Sequence, residues 1–64
     1  SNQDAILSML QRRPCTLEQI AEAFGMHANE VSKYLGKLTR SEQVITKRRQ
    51  GTSYYSAPSG QRRR

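Results

Sequence analysis

Residues 16–38, TLEQIAEAFGMHANEVSKYLGKL, hold two apolar patterns of helical period on either side of Phe24-Gly25-Met26. Thr16 with Gln19 three residues on forms a capping box, and Glu18 adds a negative charge where a helix N-terminus favours one. Leu17, Ile20, Ala21 and Phe24 then recur at helical spacing, and Gly25 stands where a left-handed residue ends a helix. The spacing predicts a helix over 17–24. Met26 is the apolar residue of the turn, and His27 takes the next N-cap with Glu30 three positions beyond, able to bond back to it. Val31, Leu35 and Leu38 make one apolar face of a further helix over 28–40. Ser41-Glu42-Gln43 is polar and ends it. The stretch therefore reads as two short amphipathic helices joined by a tight turn.

Working outward, Ile6, Leu7, Met9 and Leu10 form a core-facing stripe on an earlier helix, expected over about 2–12. Ser1 and Asp4 have capping-box spacing, Arg12 and Arg13 suit the C-terminal end of the dipole, and Pro14 stops the pattern. On the other side, Val44-Ile45-Thr46-Lys47 and Ser53-Tyr54-Tyr55-Ser56-Ala57 have strand character, at about 44–47 and 53–57. Arg48-Arg49-Gln50-Gly51-Thr52 between them reads as a short basic loop in which Gly51 supplies a positive φ. A β-hairpin with a cationic tip follows. Adjacent strand residues face opposite ways, so one of Tyr54 and Tyr55 is expected on the core and the other on the surface. The fold class is mostly α with a small β-hairpin (α+β), one domain over 1–57. Residues 58–64 have no apolar residue to anchor them beyond Pro58 and are expected to be a mobile basic tail.

A chain of 64 residues buries about 60% of its unfolded surface, enough for one core and no deep active-site cleft. Its net charge of +6 is unevenly placed. Residues 1–32 hold four acids against two cations, for −2, whereas residues 33–64 hold nine cations against Glu42 alone, for +8. The second half should attract a polyanion, and nucleic acid, an anionic membrane surface or an acidic protein all satisfy that requirement. The single Cys15 forms no internal disulfide, which suits a reducing compartment. No run approaches a membrane span and no leader resembles a signal peptide. The expected location is the cytoplasm, on the nucleoid, for a bacterial protein, or the nucleus for a eukaryotic one. The sequence opens on Ser1 rather than Met, as an excised piece of a longer chain would.

Three helices followed by a basic hairpin is the order of a winged helix. Gly25 to Leu38 resembles the turn and recognition helix of bacterial winged helix-turn-helix regulators, and Val44 to Ala57 resembles the wing of the ArsR-like and MarR-like groups. The resemblance covers residues 4–57. It departs from those groups in having no long extra helix for dimerisation and no ligand- or metal-sensing cluster. It implies a transcriptional regulator, or the DNA-binding domain of one, that places its third helix in the major groove of double-stranded DNA.

Helical spacing supplies a contact face independently. With Val31, Leu35 and Leu38 inward, Ala28, Asn29, Ser32, Lys33, Gly36 and Lys37 point outward. An Asn29 amide pairs bidentately with adenine, Lys33 reaches guanine acceptors or a phosphate, and Ser32 serves either purpose. Gly36 costs roughly 1 kcal/mol against Ala in a helix interior, which a close approach to another backbone would explain. In the hairpin, Lys47, Arg48 and Arg49 are expected on phosphates or in the minor groove, with Thr52 and Ser53 as hydroxyl donors to the same backbone. The bland alternatives are a solvated lysine face on the third helix and a basic tip that discourages edge pairing. Arg62, Arg63 and Arg64 would add sequence-neutral affinity, or are a linker or part of a localisation signal.

Tyr34 is expected to cover the first helix or to reach the DNA. Cys15 and His27 make a poor metal site without a third ligand, and each has a structural place, between helices and at the N-cap. No cofactor is implied and no constellation supports catalysis. The expected partner is double-stranded DNA, bound by a homodimer or by copies side by side, since one small domain buries a small interface. An additional domain or protein partner is compatible with the scaffold. Two rival readings stand beside this one. A protein-interaction winged helix within a larger assembly would use the same basic face, and RNA or single-stranded DNA binding would recruit exposed aromatics.

Overall fold

A computed structural model of the chain describes residues 2–58. It contains α1 (Asn2–Arg12), α2 (Leu17–Phe24), α3 (Ala28–Arg40), β1 (Ile45–Arg49) and β2 (Thr52–Ser56), in that order. The three helices have the expected bounds. Within the described residues no helix is long and apolar enough to cross a membrane. The expected Ser1 cap and the tail from residue 59 onward lie outside the described residues.

Local chemistry sets the ends of α2. Gln19 N–H donates to Thr16 Oγ1 at 3.1 Å and Thr16 N–H donates to Gln19 Oε1 at 3.0 Å, the reciprocal bonds of a capping box. At the other end Gly25 adopts φ +62°, and Met26 N–H donates to the Ala21 carbonyl at 2.9 Å. That six-residue return turns the chain sharply and brings Met26 against the core. A Cβ at Gly25 would meet nothing within 4 Å, so the residue's value is its backbone conformation alone. Gly25→Ala is expected to destabilise the domain by about 1–2 kcal/mol in chemical denaturation, with no packing defect. His27 occupies the N-cap of α3 with extended backbone but makes no side-chain cap bond, contrary to expectation. Its carbonyl accepts from Val31 N–H at 3.1 Å, so the backbone starts the helix unaided.

The core is built from Ile6 and Leu10 of α1, Ile20 of α2, and Val31, Leu35 and Leu38 of α3. Cys15, Val44 and Ala57, each beside a strand or a turn, complete it. Cys15 does more than fill space. Its N–H donates to the Tyr55 carbonyl at 2.9 Å and its carbonyl accepts from Tyr55 N–H at 2.7 Å, a single-residue bridge on the free edge of β2. A third bond, from Ala57 N–H to the Leu10 carbonyl at 3.1 Å, ties the end of the hairpin to α1. The hairpin is thus tied to the helical body at Cys15 and at Leu10.

The strands differ from their expected bounds. Val44 is buried but precedes β1, where its N–H reaches back to the Leu38 carbonyl at 3.3 Å, and β1 runs two residues further than expected. Arg48 and Arg49 are therefore strand residues, paired with Ser53 and Thr52. The connecting loop shrinks to Gln50-Gly51, with φ +51° and +80°, the positive pair of a tight two-residue turn. The expected five-residue basic loop is corrected: a dipeptide closes the hairpin and lets its ladder run to the tip.

Candidate nucleic-acid interface

The core-facing residues of α3 fix what its other side presents. Ala28, Asn29, Ser32, Lys33 and Lys37 are exposed as expected, and Gly36 is half-buried. Arg40, which the sequence pattern placed only at the helix end, belongs with them. It lies one turn beyond Gly36, and its Nη1 sits 3.4 Å from where a Gly36 Cβ would stand. Lys33, Gly36, Lys37 and Arg40 line one shallow depression along α3, with Glu30 and Tyr34 at its border. Tyr34 is half-buried and packs on the core, so its ring is a wall of this surface and a part of the fold.

The hairpin register sorts the wing cations into two sets. Residues directly opposite share a face, so Thr46, Arg48, Ser53 and Tyr55 lie on one side and Ile45, Lys47, Arg49, Thr52, Tyr54 and Ser56 on the other. Tyr55 packs on the core, and together with Thr46 it lines a groove against Ser32, Gly36, Thr39 and Arg40 of α3. Thr46 and Tyr55 of the first set therefore face α3. Lys47, Arg49, Tyr54 and Ser56 of the other set line an outer depression with Pro14, and the Arg48 side chain lines it too. The sequence pattern placed Lys47 at the end of a strand and Arg48 and Arg49 in the loop after it, whereas all three are strand residues. Alternation along a paired strand divides them, and the wing carries positive charge on both faces.

Lys33, Lys37, Arg40, Lys47, Arg48 and Arg49 are all exposed. No hydrogen bond or ion pair among the described residues engages their head groups. One acid, Glu30, lies on α3 and lines the same depression without forming an ion pair; Glu18 and Glu22 are on α2, and Glu42 follows α3. A row of cations along a helix and the adjoining hairpin, with Glu30 as the one acid lining the α3 depression among the described residues, is a surface that attracts anions. The described residues hold no group of three or more His, Cys, Asp or Glu placed to bind a metal. Arg62, Arg63 and Arg64, the expected tail contacts, lie outside the described residues.

Three helices, a turn of the Phe24-Gly25-Met26 kind, a bridge residue between α1 and α2 and a two-stranded wing define a winged helix-turn-helix domain. Over residues 2–56 the sequence matches the family model described as FaeA-like protein, and the chain belongs to that family. Among solved structures, reduced HlyU from Vibrio cholerae N16961 is similar with a TM-score of 0.84 and 22% identity over 94% of this chain and 63% of that one. A cysteine-to-serine mutant of Lactococcus lactis ZitR in complex with DNA has a TM-score of 0.83 and 27% identity over 92% of this chain and 42% of that one. NolR from Sinorhizobium fredii has a TM-score of 0.79 and 31% identity over 86% and 55%. The chain thus spans between about two-fifths and two-thirds of the length of these proteins. A comparison with curated proteins finds no match.

Proposed function

We propose that this domain binds double-stranded DNA as the reading head of a transcriptional regulator, with α3 in the major groove and the wing on the flanking backbone or minor groove. The observation that carries the reading is the set of six unpaired cations on α3 and the hairpin, on a scaffold whose likeness in ZitR is in complex with DNA. Asn29, Ser32 and Lys33 supply sequence preference from the N-terminal half of α3, where a recognition helix meets base edges. Ala28 and Gly36 give close contact. Lys33 also reaches a phosphate, and Lys37, Arg40, Lys47, Arg48 and Arg49, with Thr52 and Ser53, grip phosphates. A domain this small gains from a second copy on a repeated half-site, so two domains per operator is the expected stoichiometry.

Lys33→Ala combined with Arg48→Ala tests the docking, because one residue stands on α3 and the other on the wing face turned toward it. Loss of two phosphate contacts should flatten the salt slope by about 2 and weaken duplex binding about 30-fold near 0.15 M salt. A gel shift with unchanged affinity would sink the proposed geometry. Single-stranded nucleic acid is the second reading, favoured by Tyr54, which is half-buried beside Lys47 on the outer wing face. One such platform is few for a surface built on stacking. In a competition assay, a single-stranded oligonucleotide that displaces duplex at equal concentration would favour it.

A further inference from the structure

Gly36 lies in the interior of α3, where glycine is the least favoured residue after proline. Two intramolecular needs explain most such glycines: a positive φ, or a neighbouring backbone that leaves no room for Cβ. Neither applies. The positive-φ glycines are Gly25 and Gly51. A Cβ at Gly36 would meet only Arg40 Nη1, at 3.4 Å, an ordinary contact with the far end of a flexible side chain. The open space therefore serves something outside the domain. Its surroundings are Ser32, Lys33, Tyr34, Lys37 and Arg40, with Glu30 as the one acid, a border of net positive charge, and it opens on the wing groove at Thr46.

We propose that Gly36 is the point at which α3 meets the floor of the DNA major groove, its missing side chain setting how deeply the helix seats, with Lys33 and Arg40 flanking the contact. The proposal rests on the duplex-DNA reading above. A helix of about 10–12 Å diameter fills a groove about 12 Å wide, so a side chain on the contact line lifts the whole helix. Base-edge hydrogen bonds survive only within a few tenths of an ångström of their optimum. Long cationic side chains follow a receding phosphate, and their attraction fades slowly with distance. Filling the position therefore harms sequence preference more than general affinity.

The test starts from a preferred duplex, selected by the unaltered chain from a random pool, and a scrambled duplex of equal composition. Gly36→Ala and Gly36→Leu should both raise the melting temperature, because each is a better helix former than glycine. Gly36→Leu should cut the preference for the selected duplex by about tenfold or more, with Gly36→Ala in the same direction but less. Affinity for the scrambled duplex should stay within about threefold of the original. The loss should persist in an Arg40→Ala background, which separates lifting of the helix from displacement of the guanidinium.

A Gly36→Leu variant that melts higher and keeps its full preference overturns the proposal, as does a loss that vanishes once Arg40 is alanine. In either case the Lys33→Ala/Arg48→Ala variant shows whether the duplex reading survives. Absence of any duplex binding by the unaltered chain overturns both.

Discussion

Raising salt from 50 to 200 mM is expected to weaken binding of this domain to duplex DNA by about a thousandfold. The figure follows from counting charges. If Lys33, Lys37, Arg40, Lys47, Arg48 and Arg49 each displace a counterion from a phosphate, the slope of log affinity against log salt is about −5. Among the described residues none of the six is held in an ion pair, so each is counted in full. Fluorescence anisotropy with a labelled duplex at four or five salt concentrations measures the slope directly. An acidic protein partner would meet fewer of these cations at once, because those of α3 and those of the wing line separate depressions. Only a ligand that wraps, with charge repeating along a groove and its walls, engages α3 and both faces of the hairpin together. A slope shallower than about −2 with duplex would turn the reading toward the protein-interaction alternative.

What the sequence revealed and what it hid follow the range of the forces involved. The box at Thr16 and Gln19 and the left-handed Gly25 are local chemistry, closed within a few residues, and both stand in the structure as expected. The inward face of α3 was legible from Val31, Leu35 and Leu38 because helical period alone fixes it. Long-range pairing was not. The bridge from Cys15 to Tyr55 joins residues forty positions apart, and neither residue type announces it. The wing register was hidden for a different reason. Every residue of Ile45–Arg49 is exposed, so no apolar alternation marks the strand, and buried Val44 drew the expected start one residue early. Ile45 itself is 42% exposed. Gln50 concealed the turn, since a non-glycine residue at positive φ gives no sequence signal, although Gly51 beside it did. Arg40 was read as a cation suited to a helix C-terminus, a sufficient role that masked its position one turn from Gly36.

Ile20→Ala should unfold most of the domain at physiological temperature. Ile20 is the one fully buried side chain of α2, 0% exposed, and half-buried Leu17, Ala21 and Phe24 only flank it. Truncating a buried isoleucine to alanine costs about 2–5 kcal/mol. A single core in a chain this short supplies little more than about 3–5 kcal/mol in total. With one substitution thus comparable to the whole stability, the melting temperature should fall by about 10 °C or more. Ile20→Val, which keeps most of the volume, should cost about 0.5–1.5 kcal/mol. Circular dichroism at 222 nm on heating checks both, and a melt of Ile20→Ala within a few degrees of the original would contradict this account of the core. The functional consequence is specific to α2, because this helix and its Gly25 turn hold the N-terminus of α3 in place. If α3 is the reading helix, a DNA ligand that selects the folded state returns about 2.7 kcal/mol at a hundred times its dissociation constant. Helical signal lost by Ile20→Ala should therefore be regained in part on adding duplex at low salt. In a Lys33→Ala/Arg48→Ala background the same addition should restore much less, which couples the core and the interface in one measurement.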